Sequence, residues 1–158
     1  MSGLTIRSAS SADLQDICVI EGNSFSSPYP RFLVDTLLRE CGDSFLVASH
    51  PNGNIVGYCI ACVEGESAHL ISIAVRKDNH RKRVGSSLIR TLIERLINAG
   101  LKSVKLEVKP GNEGAIAFYK QLGFEEVTLV GNYYEDGSPA LKMCMNLFNR
   151  AADRKDDR

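Results

Sequence analysis

At 158 residues, the chain is about one domain long, enough to bury roughly 70% of its unfolded surface in a single core. Its 19 lysines and arginines balance 19 aspartates and glutamates, so no overall field draws it to nucleic acid or to an acidic membrane, and neither is expected as a partner. No run of about 18 apolar residues offers a transmembrane helix, and MSGLTIRSAS lacks the apolar centre of a secretory signal, so a soluble, cytoplasmic protein is expected.

The five cysteines (Cys18, Cys41, Cys59, Cys62, Cys144) are odd in number and scattered through apolar segments, which predicts reduced thiols used as small hydrophobes. Cys59 and Cys62 have half of a zinc-knuckle spacing. They fall mid-strand, however, where side chains three apart point to opposite faces, and there is no second pair, so no metal site is expected.

In chain order, LTIR (4–7) reads as a short strand, and the serine-rich SASSAD after it offers N-caps for a helix over about 12–22. Prolines 28 and 30 keep Phe25–Pro30 out of helix, and a second helix is predicted from Arg31 to Cys41-Gly42. SFLVAS (44–49) and NIVGYCIACV (54–63) are strands around the turn signal Asn52-Gly53.

The segment from His69 to Ile97 is the most informative. A buried strand (Leu70–Val75) feeds a loop containing Arg76, Lys77, Arg81, Lys82 and Arg83, and then a helix whose apolar residues recur from Val84 through Leu88, Leu92 and Leu96. Free N–H groups and the positive end of a helix dipole would face whatever lies before Val84, which favours a compact anion such as a phosphate.

SVKLEV (103–108) then alternates as a half-buried strand, parallel to 70–75 through a right-handed crossover. Pro110-Gly-Asn112 turns into a helix ending at Gly123, and 124–130 and 140–147 are two further strands around GNYYEDGSP. One domain is therefore expected over 1–149, followed by a polar, disordered tail over 150–158.

The C-terminal ends of two neighbouring parallel strands are where open α/β sheets bind ligands. His69, Glu107 and Tyr119 fall near those ends. Singly, each has a plain reading: a turn neighbour, a solvated strand residue and a core aromatic. Together they offer a base and a phenolic acid beside an anion site.

The stretches IAVRKDNHRKRVGSSL, LEVKPGNEGAIAFYKQLGFEEV and NYYEDG…ALKM resemble the GNAT superfamily of acetyl-CoA-dependent N-acetyltransferases. Within it the closest pattern is that of the RimI-like protein N-terminal acetyltransferases, and the likeness runs over about residues 4–147. It implies an α+β fold: a mixed, mostly antiparallel sheet of six to seven strands, split between the strands ending at Val75 and Val108, with about four helices. Acetyl-CoA is the implied cosubstrate, with no metal.

By the same resemblance, Ile73, Ala74 and Val75 bond the pantetheine, and Arg81, Lys82, Arg83, Val84, Gly85 and Ser86 hold the pyrophosphate. Asn112 and Tyr119 also contact the cofactor, and Tyr119 is the acid for the departing thiolate. Glu107 or His69 is the base. Glu21, Phe25, Tyr29, Tyr133 and Tyr134 would line a groove for a protein or peptide N-terminus, and a ribosome or auxiliary subunit could accompany the enzyme. The family's phosphate loop, Arg/Gln-x-x-Gly-x-Gly/Ala, aligns with His80, Arg83 and Gly85, so an arginine stands where the first glycine is usual; in helical conformation it could still donate its N–H. Acetylation of a small amine or a lysine side chain is the alternative chemistry. A non-catalytic acyl-CoA-binding protein is the alternative from another class.

Overall fold

A computed structural model describes residues 3–148 and residue 150. Of the tail predicted over 150–158, all but Arg150 lies outside the described residues. In chain order the elements are β1 (Thr5–Ser8), α1 (Leu14–Ser24), α2 (Arg31–Cys41), β2 (Phe45–Ser49), β3 (Ile55–Glu64), β4 (Ser67–Val75), α3 (Val84–Asn98), β5 (Ser103–Val108), α4 (Glu113–Leu122), β6 (Glu125–Val130) and β7 (Ala140–Asn146). Among the described residues the strands form one seven-stranded sheet in the order β1-β2-β3-β4-β5-β7-β6. Every pairing is antiparallel except β4 with β5.

The helices cover both faces. On one, α3 lays Leu88, Leu92 and Leu96 against Cys59, Ala61, Leu70, Leu106 and Met143. On the other, Ile17 and Ile20 of α1 and Val34 and Leu37 of α2 pack on Phe45, Val47, Tyr58 and Ile60. The apolar residues of α3 recur every three to four positions, which puts one continuous stripe on the sheet. The alternation of β5, with Val104, Leu106 and Val108 buried, sends Lys105 and Glu107 to the α1/α2 face.

Two local features shape the centre of the sheet. The parallel ladder between β4 and β5 holds only at Ser67↔Ser103, Ala68↔Val104 and His69↔Lys105, after which the two strands part. Just beyond that point β4 bulges: Leu70 pairs with Ala61 and Ser72 with Ile60, so Ile71 is the extra residue. A bulge bends its strand and raises the local twist, which steers β4 away from β5.

The cysteine expectation needs correction. Cys41, at the end of α2, and Cys62, on the α1/α2 face of β3, are joined in a disulfide, with Cα atoms 4.7 Å apart. Adjacency across the fold, which spacing does not reveal, makes the bond possible. Cys18, Cys59 and Cys144 are free thiols, as expected. Cys59 and Cys62 do point to opposite faces, and the described residues contain no group of three His, Cys, Asp or Glu side chains arranged to hold a metal.

Candidate active site

The loop from Arg76 to Arg83 is held to the sheet from beneath. The Arg76 N–H donates to Val56 O at 2.8 Å, His80 Nε2 donates to Val75 O at 2.8 Å, and the buried Asn79 amide bonds His50 Nε2 at 2.9 Å. Its last residues then turn sharply into α3. Arg81 (φ +64°) and Arg83 (φ +62°, ψ +19°) both adopt the left-handed conformation, and Arg83 is the N-cap of α3.

The backbone geometry at Arg83, which the sequence left open, is settled by its positive φ. The position is left-handed, which is the physical reason a glycine suits it. No acidic residue stands in the first turn of α3 to satisfy its N-terminus internally, so the N–H groups of Val84, Gly85 and Ser86 and the cations of the loop fit a pyrophosphate. Gly85 has a packing role as well: a Cβ there would lie 3.4 Å from the Phe118 ring of α4 and 3.8 Å from Val75.

Beyond His69 the edge of β4 that faces β5 has no strand partner, so the backbone of Ile73–Val75 lines the opening between the two strands. This is a fit for a ligand that bonds like a strand, as a pantetheine chain does. Asn112, like Tyr119 a predicted cofactor contact, caps α4: its Oδ1 accepts the Ala115 N–H at 3.2 Å.

Tyr119 projects from α4 into the α3/α4 layer, its ring edge-on to Phe118 (centroids 5.2 Å) and to Phe124 (5.6 Å). Burial, and secondarily the Cys59 thiol, push its hydroxyl up to about 12, so it stays protonated through the neutral range.

His69 and Glu107 meet on the opposite face. His69 Nε2 lies 2.5 Å from Glu107 Oε2, and the two side chains are 23% and 13% exposed. The sequence left Glu107 open as a solvated strand residue and His69 as a turn neighbour. Instead β4 begins at Ser67, which places His69 inside the strand, and the short parallel ladder brings it beside Lys105 and within reach of Glu107.

The structure thus joins His69 to Glu107, and sets Tyr119 in the other layer, with the opening between β4 and β5 separating them. Partial burial, then the neighbouring Glu107 carboxylate, push the Tyr133 hydroxyl up to about 12. Tyr134 is shifted upward by burial and by Glu107 and Tyr29, so Tyr29, Tyr133 and Tyr134 lie within electrostatic reach of Glu107 or of one another. Their rings differ in role: Tyr133 packs edge-on to Tyr134 at 4.9 Å, and Lys109 Nζ sits 5.3 Å from the Tyr134 ring centre. Beside them an open cavity of about 510 Å³ is lined by Lys109, Pro110, Gly111, Asn112, Ser138 and Pro139. Phe25 is exposed at the start of the 25–30 loop.

Glu21 is placed differently from the other predicted groove residues. Its side chain is buried, bonded by the Tyr58 hydroxyl, with Ser72 Oγ at 3.4 Å, and its Oε2 accepts the Tyr29 N–H at 2.9 Å. It therefore ties α1, β3, β4 and the 25–30 loop together and sets the position of Tyr29. Tyr58, with its hydroxyl raised by burial and by Glu21, was not singled out from sequence; a lone tyrosine in an apolar strand carries no signal beyond core.

Comparison with known proteins decides the family. The model of the acetyltransferase (GNAT) family matches residues 14–124. The chain belongs to this family. It is 31% identical to an N-alpha-acetyltransferase of Sulfolobus acidocaldarius, over 90% of this chain and 92% of that one. It is 34% identical to the [ribosomal protein bS18]-alanine N-acetyltransferase of Escherichia coli, over 82% and 86%. The crystal structure of Ard1 from Thermoplasma volcanium superposes with a TM-score of 0.86 at 32% identity, covering 91% of this chain and 97% of that one. The GNAT fold expected from the sequence, with its split sheet and four helices, is the fold observed.

Proposed function

We propose that the protein transfers the acetyl group of acetyl-CoA to the α-amino group at the N-terminus of proteins. The observation that carries this reading is the Glu107–His69 pair, set at the point where β4 and β5 part, with Tyr133 and Tyr134 in electrostatic reach of Glu107. N-terminal acetylation in the relatives from Sulfolobus acidocaldarius and Escherichia coli supports it.

Acetyl-CoA supplies an activated acetyl group and a sulfur leaving group. The chain supplies the rest. The first turn of α3 and the cations Arg81, Lys82 and Arg83 bind the pyrophosphate, and the free edge of Ile73–Val75 aligns the pantetheine. Glu107, backed by His69, takes the proton of the incoming amine. Tyr119 keeps its proton at neutral pH and offers it to the departing sulfur across the opening.

The choice of acceptor follows from acidity. A protein α-amino group has a pKa near ~7.7–8 against ~10.4 for lysine, so it needs far less help to give up its proton to the Glu107–His69 pair. The aromatic rim suits an extended peptide, with Glu21 fixing the rim through the Tyr29 backbone. Such a reaction belongs in the cytoplasm, where nascent chains emerge, and a ribosome or auxiliary subunit would present them. The described residues contain no helix long and apolar enough to cross a membrane.

The test is acetylation of a panel of peptides with free N-termini, and of the same peptides N-blocked but carrying lysine, read by mass spectrometry. Label on the α-amine of the free set is expected. Label confined to lysine or to small amines would overturn the reading. Glu107→Gln and Tyr119→Phe should each lower kcat by about 10²-fold or more while the protein still binds CoA.

A further inference from the structure

At neutral pH a protein N-terminus is largely an ammonium group. On the proposed reaction it begins as R–NH₃⁺ and ends as R–NH–CO–CH₃, losing two protons as the N–C bond forms. The C–S bond breaks with its electron pair going to sulfur, which takes one proton. The other must reach solvent in every cycle. An acceptor peptide lying against Tyr29, Tyr133 and Tyr134 occupies the groove side of Glu107 during that cycle, so the exit has to lead elsewhere.

A chain of ionisable groups leads away along the same sheet face. Glu107 Oε2 contacts His69 Nε2 at 2.5 Å; on the far side of the ring, Nδ1 lies 3.5 Å from Glu64 Oε1. Glu64, the last residue of β3, is half exposed, and its other oxygen is bound by Lys105 Nζ at 3.0 Å. Exposure along this line rises from 13% at Glu107 through 23% at His69 to 50% at Glu64, so it runs from the site to water.

We propose, building on the acetyltransferase reading, that Glu64 is a positioning residue for catalysis: held by Lys105, it orients His69 with Nδ1 protonated and passes the proton received by Glu107 on to solvent. A carboxylate on one side of an imidazole fixes which nitrogen carries the proton and favours the charged ring. Lys105, through its hydrogen bond and then its charge, holds the Glu64 carboxyl below the usual carboxylate range, which keeps it ionised as an acceptor. The other groups facing the ring are accounted for. Cys62, opposite His69 on β3, is in the disulfide and does not titrate; Lys105 and Glu107 come from β5, Lys142 stands opposite Glu107 in the β5–β7 register, and Tyr133 is within electrostatic reach of Glu107.

The experiment measures acetylation of an N-terminal peptide over pH 5.5–9 for the wild type, Glu64→Gln and Glu64→Asp, with ¹⁵N NMR of the His69 ring in each. Removing the carboxylate makes the imidazolium easier to deprotonate. The acid limb of kcat should then move to lower pH. The kcat plateau should fall roughly threefold to tenfold, well short of losing the base, with both KM values unchanged. Added imidazole buffer should restore the rate, Glu64→Asp should lie between, and the His69 titration should drop in step with the limb. An unmoved acid limb and His69 titration in Glu64→Gln would overturn the proposal, as would a loss seen only in KM. A wild type inactive on every N-terminal peptide would refute the acetyltransferase reading itself, which is a separate result.

Discussion

Arg83→Gly should make the protein more stable and a weaker binder of CoA at once. Arg83 is held at φ +62°, where a Cβ crowds the following carbonyl at a cost of about 1–2 kcal/mol that glycine does not bear. Glycine gives back about 0.5–1 kcal/mol through its freer unfolded chain, leaving a net gain near ~1 kcal/mol. For a domain of this size that raises Tm by roughly 2–4 °C. The substitution also removes an exposed cation from the proposed pyrophosphate loop, worth about 1 kcal/mol of binding, or roughly fivefold in Kd, and less at high salt. Arg83→Ala is the control, since it loses the charge but keeps the Cβ, and should weaken CoA without raising Tm. Differential scanning calorimetry and titration calorimetry with CoA give both readouts. A Tm for Arg83→Gly at or below that of the wild type would refute the strain argument, and an unchanged Kd would remove Arg83 from the phosphate site.

Three further outcomes are expected. Gly57→Ala should destabilise by about 1–3 kcal/mol in chemical denaturation, because a Cβ there would meet Ala74 O at 3.1 Å, Val84 at 3.2 Å and Leu88 at 3.3 Å and push α3 off β3; CoA affinity should fall with it, as the same helix end is the proposed phosphate site. Asp13 is bound by both Arg7 Nη atoms at 2.7 and 2.8 Å and by the Ser10 N–H at 2.8 Å, and the Arg7 hydrogen bonds lower its pKa below the usual value near ~3.9. A lowered carboxyl pKa adds stability above the unfolded value and loses it as pH falls through the folded one, so Asp13→Asn should cost about 2 kcal/mol at pH 7 and little at pH 2 in denaturant titrations. Reducing the Cys41–Cys62 disulfide, which spans 21 residues, should cost about 3 kcal/mol on the loop-entropy estimate, read as a fall in Tm with dithiothreitol that Cys41→Ser abolishes.

The sequence made legible those features that local chemistry dictates. The 3.6-residue stripe of Val84–Leu96, the alternation of Ser103–Val108 and the prolines of the 25–30 loop each appear in the structure as predicted, because burial on one face leaves a periodic record. The His69–Glu107 contact was not legible, because it depends on where two strands thirty-eight residues apart lie in register. The same holds for Cys41 with Cys62, and for Glu21 with Tyr58 and Ser72. Arg83 was a different kind of failure. The departure from the family pattern was visible, but the backbone conformation that gives it meaning was not, since arginine itself says nothing about φ.

The bulge at Ile71 shows how one residue can set up a whole site. Before it, Ala68 and Leu70 face α3 while His69 faces α1 and α2; after it, Ile73 and Val75 face α3 while Ser72 and Ala74 face α1 and α2. Without the bulge, with Ile71 taking a regular place opposite Ile60, the alternation would run on unchanged. Ser72 would then point into the apolar layer opposite Cys59, where its hydroxyl would lose Glu21, and Ile73 would replace it beside the buried carboxylate. Burying a hydroxyl without a partner costs about 1–3 kcal/mol, and stripping a donor from Glu21 adds to that. Polar residues thus lie on the site face on both sides of the bulge only because the strand changes parity there. The bulge lies two residues past His69, where the ladder with β5 has just ended, so β4 leaves β5 and changes parity within the same few residues.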